Sequence, residues 1–366
     1  MDYKELGRAV NQFPITEEVV GIIPIGNGHI NDTYAISVNT PEGERRKYVL
    51  QRINDQIFED VDTLQSNIFA VTSHIRRHLE QQGEKDVDRK VLTFIKTKDG
   101  KNYASVEGNK WRLCYYIKGS KSYESVSPKL AYVAGKAFGE FHSMLSDLPE
   151  GQLGETILNF HNMSFRLQQF RDAVNEDRVG RVAEVQDLIE EIEARAEAMT
   201  VQERLYQNGS LKLRTNHCDT KVNNILFDEA TDEVLCVIDL DTVMPGFVLS
   251  DIGDFIRTAV NSGEEDDENL SNIQVSMPVF ESYIRGYMEE AKAFLTPVEI
   301  ELLPYGGRLL TYMQTVRFLT DYINGDTYYK THKLKHNLIR TRAQFEFLLK
   351  LEEKEKEMDH FMKSWL

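Results

Sequence analysis

Residues 214–241 (RTNHCDTKVNNILFDEATDEVLCVIDLD) constrain the fold of this chain more than any other stretch. Two short apolar runs, 224–227 and 234–238, flank an acidic and turn-forming tract at 228–233. Both runs are rich in Ile, Leu and Val, so the pattern predicts a β-hairpin. Folding the stretch about residue 231 places the first residue of one run opposite the last residues of the other.

The polar residues at the open end of this hairpin are candidate metal ligands. Asn224 begins the first strand, Asp239 follows the second, and Asp219 precedes Asn224 by five residues on the incoming loop. Oxygen ligands clustered in this way suit Mg²⁺, which keeps several waters and takes the rest of its ligands from phosphate. Because the second run ends in I-D-L-D, Asp241 is a further candidate ligand.

The pattern His217-x-Asp219-x-Lys221-x-x-Asn224 has the spacing of a kinase catalytic loop. In that interpretation Asp219 orients the attacking hydroxyl and accepts its proton, and Lys221 steadies the transferring phosphate. His217 is expected to fix the loop and to take no proton from the substrate. The alternative interpretation is that Asp219 and Asn224 only cap turns.

Two segments together resemble a known family: HCDTKVNN, followed by CVIDLDTVMPGFVLSDIGD. They resemble the aminoglycoside phosphotransferase and choline kinase superfamily, and within it the N-acetylhexosamine 1-kinases most. GNGHINDTY, YVLQRIN and RFLTDYINGDTYYK extend the likeness through most of the chain. The resemblance implies ATP- and Mg²⁺-dependent phosphorylation of the anomeric hydroxyl of GlcNAc or GalNAc.

The expected fold is α+β, bilobal and protein-kinase-like. Residues 1–118 are the predicted N-lobe, a small antiparallel sheet with a helix that covers the nucleotide. Residues 119–366 are the predicted C-lobe, which is larger and mostly helical and holds the catalytic loop, the metal hairpin and the substrate pocket. Alternating apolar strands before residue 118 and helical patterns after it favour this division.

The nucleotide-binding candidates begin with Gly26, Asn27 and Gly28, which turn the chain between two predicted strands. Glycine lets backbone N–H groups approach phosphate closely. A kinase places a phosphate-binding lysine on the third strand, but this chain reads KYVLQRIN there. Arg52 is the candidate to supply the charge, whereas Gln51 offers only a hydrogen bond.

A predicted hinge follows the last strand of the N-lobe, WRLCYYIKG. In that interpretation the backbone of Tyr115, Tyr116 and Ile117 hydrogen-bonds adenine. The alternative is that these aromatic and apolar side chains simply belong to the core.

Two further groups of residues have predicted roles that rest on the resemblance. An acid in the D-x-x-D of SDIGD is expected to support the catalytic loop, and Asp254 or Asp251 is the candidate. Arg317 and Tyr328 are the expected sugar contacts, beside Asp219 itself. From the residues alone, an i,i+4 salt bridge with Asp321 on a helix surface is the better explanation of Arg317.

Composition excludes several classes of partner and site. The formal net charge is −16, which argues against nucleic acid or an anionic membrane as a partner. Three cysteines without C-x-x-C spacing indicate neither a disulfide framework nor a zinc knuckle. The amino terminus lacks an apolar signal region, and no stretch approaches transmembrane length, so we expect a cytoplasmic protein. We also expect it to be a monomer.

Three other functions remain open at this point. The first is a kinase of the same fold that acts on choline, homoserine or an aminoglycoside. The second is a pseudokinase, although the catalytic acid and both principal metal ligands are present. The third is a metallohydrolase, which would need more histidines at ligand spacing than this chain offers.

Overall fold

Alternating apolar residues near the amino terminus form one antiparallel sheet in the computed structural model, which describes residues 3–26 and 30–366. Its strands are β1 (Glu18–Pro24), β2 (Asp32–Asn39), β3 (Arg45–Ile53), β4 (Phe94–Ile95), β5 (Ala104–Val106) and β6 (Asn109–Tyr115). The strand order is β1-β2-β3-β6-β4, and β5 pairs with β6. One sheet face packs on α1 (Tyr3–Val10) through a core that contains Leu6, Leu50 and Trp111.

Helix α2 (Val61–Gln81) follows the third strand, as the helical stripe of apolar residues predicts. Its N-cap is Asp60, whose side chain accepts a hydrogen bond from the backbone N–H of Thr63 at 2.9 Å. All six residues of the predicted stripe are buried: Val61, Leu64, Ile68, Val71, Ile75 and Leu79. A short helix, α3 (Val87–Lys90), follows it.

The predicted hairpin is confirmed. Its strands, β9 (Ile225–Asp228) and β10 (Val234–Val237), are antiparallel, and Val237 pairs with Ile225. A two-residue strand, β7 (Ser120–Lys121), pairs with the other side of β9. Asp228 closes the turn because its carboxylate accepts the backbone N–H groups of Ala230 and Thr231.

The chain divides into two compact units. The first comprises Met1–Ser122, Asp147–Leu158 and Ile225–Met244, and therefore includes the hairpin. The second comprises Tyr123–Ser146, Asn159–Asn224 and Pro245–Leu366. The α+β class predicted from the sequence is confirmed, and the lobe boundary at residue 118 stays a prediction.

The second unit is mostly helical. Its helices are α4 (Pro128–Met144), α5 (Met163–Glu176), α6 (Gln186–Arg195), α7 (Val201–Gln207), α8 (Val248–Phe255), α9 (Met277–Ala291), α10 (Pro297–Glu301), α11 (Leu303–Ile323) and α12 (His336–Met362). Strand β8 (Arg214–Asn216) leads into the catalytic loop, and the chain passes from the first unit to the second within β11 (Met244–Gly246). No helix of the described ranges has the length and apolarity to cross a membrane.

Helices α4 and α9 approach closely because glycines face the partner backbone. A Cβ placed on Gly135 would lie 2.1 Å from the carbonyl oxygen of Tyr283, and one on Gly286 would lie 2.0 Å from that of Tyr132. Both distances are far below van der Waals contact. The two helices therefore tolerate no larger side chain at these crossing points.

Residues 296–299 (TPVE) have the sequence of a capping box and predict a helix from residue 297 to about 324, but the structure forms two helices there. The predicted start is correct, because Thr296 and Glu299 form a reciprocal capping box. Helix α10 ends at Glu301, however, and α11 begins at Leu303 with Pro304 in its first turn. Proline lacks the backbone N–H that a continuous helix would need there, so the sequence signal for the break is Pro304.

Candidate active site

The predicted catalytic loop, residues 217–224 of the second unit, is held by one buried carboxylate on α8. The Asp251 side chain accepts the backbone N–H of His217 at 2.6 Å and that of Cys218 at 2.7 Å. Its Oδ2 also lies 2.7 Å from Nε2 of His142, and its carbonyl oxygen accepts the Thr220 hydroxyl at 2.5 Å. Burial raises the pKa of the Asp251 carboxyl, but the bonds and charges of these donors hold it below its usual range.

Aromatic side chains surround this carboxylate and the His217 ring of the loop. Nδ1 of His142 lies 2.8 Å from the Tyr287 hydroxyl. The ring of His217 is fully buried, with its centroid 5.7 Å from that of Phe138 and 5.8 Å from that of Phe141. Packing of this kind fits the predicted role of His217 in fixing the loop.

Of the two acids that the sequence offers as support for the loop, Asp251 contacts it. Asp254 accepts Nε and Nη2 of Arg257 at 3.2 and 2.9 Å, and its Oδ2 has no hydrogen-bond partner among the residues that the structure describes. The D-x-x-D motif places both acids on one helix, three residues apart. Only the packing of that helix decides which acid faces the loop.

Asp219 and Asn224 lie together in the loop. The Asn224 Nδ2 donates to the backbone oxygen of Asp219 at 2.8 Å and to its Oδ2 at 3.0 Å. The ammonium group of Lys221 lies 2.8 Å from Oδ1 of the same carboxylate, whose exposed fraction is 27%. The loop thus presents a partly exposed carboxylate with one cation beside it.

The charges of this loop are coupled. Burial raises the pKa of Asp219, but the charge and hydrogen bond of Lys221, with smaller contributions from His217 and Asn224, bring it below its usual value. Burial lowers the pKa of Lys221, and the carboxylates of Asp219 and Asp254 more than compensate, so this pKa is raised. Asp219 is therefore ionised and Lys221 protonated at neutral pH.

The two acids of I-D-L-D have different surroundings in the first unit. Asp239 is exposed and has left-handed backbone angles, with φ at 60°. Asp241 is buried, its Oδ1 forms an ion pair with Arg112, and its Oδ2 accepts the side-chain N–H of Asn31. Both oxygens of Asp241 are thus occupied by protein donors. The predicted roles of Asp239 and Asp241 as metal ligands stay predictions.

Arg112 on β6 is the buried cation that sequence reasoning missed. Its Nε donates to Oε1 of Gln51 at 2.9 Å, and its side chain is 3% exposed. An arginine within the apolar run WRLCYY is the signal that identifies it in the sequence. An arginine is fully buried only where it is paired.

Arg52 does not occupy this position. It forms an ion pair with Asp32, and the alternation of a strand directs it away from the face that carries Gln51 and Arg112. The structure therefore argues against Arg52 as the phosphate-binding cation, because its guanidinium is paired with Asp32 on the other face of the sheet.

The predicted hinge is only partly suited to its role. The backbone N–H of Tyr115 donates to the Thr93 oxygen, and that of Tyr116 donates to the Lys47 oxygen, so neither is available to adenine. Ile117 belongs instead to an apolar cluster with Leu92, Leu226, Leu235, Cys236 and Ile238. The backbone contact of Ile117 with adenine stays a prediction.

The glycine turn is described at one position. Gly26 has a φ of 78°, in the left-handed region that glycine adopts without strain. The predicted contacts of Asn27 and Gly28 lie outside the described residues.

The predicted sugar contacts, Arg317 and Tyr328, line the same cleft of the second unit. The cleft has a volume of about 270 Å³, and Arg166 also lines it. The Arg317 guanidinium lies over the rings of Phe160 and Tyr329, at 5.3 and 5.7 Å. Among the described residues, neither Arg317 nor Arg166 has a carboxylate partner.

Asp321 does not pair with Arg317, so the helix-surface salt bridge considered for that arginine is absent from the described residues. Its carboxylate accepts the backbone N–H groups of Thr327, Tyr328 and Tyr329, at 2.8 to 3.0 Å, and the side-chain N–H of Asn337 at 2.8 Å. Both oxygens are thereby committed to shaping the turn that carries Tyr328.

The arginines of this cleft perturb the neighbouring titratable groups. Burial, and then the charge of Arg317, lower the pKa of Arg166 to about 10. Burial, and then Arg317, also lower the pKa of His161 to about 3, so this imidazole is neutral at physiological pH. The cleft combines two guanidinium groups with a neutral histidine beside them.

Comparison with known proteins identifies the family and the fold of this chain. The model of the phosphotransferase enzyme family matches residues 21–281. An amicoumacin kinase in complex with AMP-PNP, Ca²⁺ and Ami superposes with a TM-score of 0.60 at 12% identity, covering 96% of this chain and 94% of the kinase.

Two further solved structures share the fold. A choline/ethanolamine kinase family protein from Mesorhizobium loti has a TM-score of 0.57 at 14% identity, covering 100% of this chain and 99% of the other. A spectinomycin phosphotransferase in complex with ADP and spectinomycin has a TM-score of 0.55 at 13% identity, covering 100% and 98%. The kinase-like bilobal fold class predicted from the sequence is confirmed.

Proposed function

The chain belongs to the phosphotransferase enzyme family, and we propose that it transfers the γ-phosphoryl group of ATP to the anomeric hydroxyl of an N-acetylhexosamine. The product is the sugar 1-phosphate. One observation carries the choice of substrate: two guanidinium groups without carboxylate partners among the described residues, Arg166 and Arg317, line one cleft of the unit that holds the catalytic loop.

The charge of that cleft favours a neutral acceptor with many oxygens. Choline and aminoglycosides carry a net positive charge, which two guanidinium groups repel. The hydroxyl and amide oxygens of an N-acetylhexosamine accept hydrogen bonds from the fork of N–H groups that an arginine presents. Tyr328, which is 61% exposed at the rim, offers a ring face and a hydroxyl to such a substrate.

The loop residues account for the chemistry of transfer. The ionised carboxylate of Asp219 orients the attacking hydroxyl and accepts its proton, while Lys221 and Asn224 hold that carboxylate in place. Because the transition state of phosphoryl transfer is loose, positioning and charge neutralisation supply most of the catalysis. The neighbouring cation Lys221 also offsets the negative charge of the transferring group.

The metal ligands stay as the sequence predicts them, with Asn224 and Asp239 first and Asp241 second. All three offer oxygen atoms, which is the donor set that Mg²⁺ prefers. When bound, Mg²⁺ supplies neutralisation of the charge on the phosphates. Arg112, which holds Asp241 and Gln51, is the residue that we propose in place of the strand lysine.

The test is ADP release with Mg²⁺-ATP over a panel of acceptors: GlcNAc, GalNAc, glucose, galactose, choline, homoserine and kanamycin. We expect turnover on an N-acetylhexosamine that is lost in Asp219→Asn, and a product phosphate labile to mild acid because it is attached at C1. Greater turnover on choline, homoserine or kanamycin would retain the phosphotransferase and contradict the sugar assignment.

The role of the cleft is tested by Arg317→Gln. We expect the KM for the sugar to rise by about tenfold to 100-fold, as for the loss of one or two hydrogen bonds to a desolvated guanidinium, with a smaller change in KM for ATP. The matched control is Arg171→Gln, which removes an exposed arginine that is paired with Glu193. Equal sugar KM values in both variants would exclude Arg317 as a substrate contact.

A further inference from the structure

Two histidines and an aspartate converge in the first unit. His74 and His78 lie four residues apart on α2, so their side chains project from the same face of the helix. Oδ1 of Asp147 lies 2.7 Å from Nε2 of His74 and 3.1 Å from Nε2 of His78. The three potential ligand atoms all lie within 4.8 Å of one another, which no other such group does among residues 3–26 and 30–366.

We propose that His74, His78 and Asp147 bind a divalent transition metal ion of the Zn²⁺ class. Zinc takes four ligands at about 2.0–2.2 Å from imidazole nitrogen and carboxylate oxygen, and three protein ligands leave one position for water. Imidazole ligands favour Zn²⁺, Co²⁺, Ni²⁺ and Cu²⁺ over Mg²⁺, which selects oxygen. This site is therefore chemically distinct from the all-oxygen set proposed for catalysis.

The burial of the three side chains suits a partly open site. The exposed fractions are 9% for His74, 27% for His78 and 63% for Asp147. Packing thus fixes His74 and partly fixes His78. Asp147 can move by the few tenths of an ångström by which the distance between two ligands of one metal ion exceeds a hydrogen-bond distance. Metal ions reach the cluster from solvent on the Asp147 side.

Arg77 determines which ring nitrogen of His74 carries the proton before metal binds. Its Nη2 lies 3.4 Å from Nδ1 of His74, and a guanidinium only donates, so Nδ1 is the acceptor. The ring proton is then on Nε2 and points to Asp147. Metal at Nε2 requires that proton to move to Nδ1 through solvent, and Arg77 must turn away. Arg77 is exposed and is free to do so.

The site ties one segment of the first unit to α2. Beyond Asp147, Gly154 approaches the same helix: its backbone oxygen accepts Nδ2 of Asn67 at 2.7 Å, and its N–H donates to Oδ1 of Asn67 at 3.1 Å. The segment from Asp147 to Gly154 is thus fastened to α2 at both ends. A bound metal strengthens the attachment of this segment to α2 at its Asp147 end.

The test is titration of the full chain with Zn²⁺ by calorimetry, in buffer with millimolar Mg²⁺, and with Co²⁺ by visible absorption. We expect one Zn²⁺ per chain, unaffected by Mg²⁺, and d–d bands of low-symmetry Co²⁺ with imidazole ligands. His78→Gln and Asp147→Asn are expected to weaken binding at least tenfold and to remove the Co²⁺ bands. His78 is chosen because it is partly exposed, so we expect His78→Gln to keep the fold even if a substitution of the buried His74 does not.

The matched control is His336→Gln. His336 also lies beside an aspartate, with Nε2 2.8 Å from Oδ2 of Asp266, but its Nδ1 accepts the backbone N–H of His332. The His332 ring also lies nearby, with its centroid 5.9 Å from that of His336, but among the described residues these side chains form no group of three ligand atoms within 4.8 Å of one another. The loss of His336 is therefore expected to leave zinc binding unchanged. Loss of binding in this control, or unchanged binding in His78→Gln, would overturn the assignment.

Arg77→Gln gives a second, opposite readout. Removal of the guanidinium frees Nδ1 of His74 to carry the proton, and the amide oxygen of glutamine can accept it. We expect this variant to bind Zn²⁺ about tenfold more tightly, because partners of the non-ligating nitrogen change metal affinity by about 10- to 100-fold. Weaker binding in Arg77→Gln would contradict the proposed geometry. All of these measurements are independent of the phosphotransferase reaction.

Discussion

Asp251→Asn is the substitution with the largest effect that the structure predicts for the catalytic loop. The carboxylate is fully buried, and its two oxygens accept the backbone N–H groups of His217 and Cys218 and face Nε2 of His142. Asparagine has the same shape but only one acceptor oxygen. Its NH₂ group must face at least one of these donors.

The expected loss of stability follows from the less costly orientation of that amide. With the NH₂ group towards Cys218, one charge-assisted hydrogen bond is lost, at about 1.5–3 kcal/mol, and a buried donor is left unpaired, at about 1–3 kcal/mol. We therefore expect a loss of about 3 kcal/mol in the free energy of unfolding. For 366 residues, an unfolding entropy of about 2.1 cal/mol/K per residue converts this loss to about 4 °C in Tm.

Catalysis should suffer more than stability. Asp219 follows Cys218 directly, so a shift of the loop backbone by about 1 Å is expected to lower kcat about 100-fold. The assay is differential scanning calorimetry together with steady-state ADP release. The matched control is Asp254→Asn on the same helix, where Arg257 keeps its second partner, Glu265.

Two results would contradict this role of Asp251. One is an Asp251→Asn enzyme with the kcat and Tm of the wild type, which would mean that the carboxylate does not hold the loop. The other is an equal or larger loss of kcat in Asp254→Asn, which would assign the supporting role to Asp254.

Three further predictions concern the hairpin, the helix crossing and the thiols. The ion pair with Arg89 and two backbone hydrogen bonds lower the pKa of Asp228 to about 2. The stabilisation that Asp228 gives to the folded state is therefore fully present above the usual aspartate pKa of about 4 and is lost as the pH falls towards 2. The Tm difference between the wild type and Asp228→Asn should shrink over that range. Gly135→Ala should lower Tm by several degrees, because its Cβ would meet the Tyr283 backbone at 2.1 Å, whereas Gly7→Ala, with open space around it, should not. Burial raises the pKa of all three cysteine thiols, so a disulfide reagent should label fewer than one thiol per folded chain and three in denaturant.

Much of the local structure could be predicted because its signals are local. The helix that starts after Ser127 has both of its start signals in the sequence, a capping serine followed by proline, and α4 begins where they predict. The hairpin of residues 225–237 is specified by two apolar runs and an acidic turn, and its register is as expected. In both cases the deciding interactions join residues a few positions apart.

Long-range partners account for the predictions that the structure changes. Arg52 was the candidate cation because it stands near the expected strand position, but it pairs with Asp32, and the buried cation is Arg112 from a strand 60 residues away. Tyr115 and Tyr116 donate their N–H groups to neighbouring chain segments that no local pattern identifies.

The family chemistry and the secondary structure follow from the sequence alone, because catalytic spacing, caps and turns depend on residues close together in the chain. The three-dimensional packing was needed to show which of two acids on one helix supports the loop, which arginine is buried against Asp241, and that Arg166 joins Arg317 in one cleft. These outcomes depend on which face of an element is buried. That is set by packing between distant segments, where a desolvated charge is stable only beside a partner that the fold brings to it.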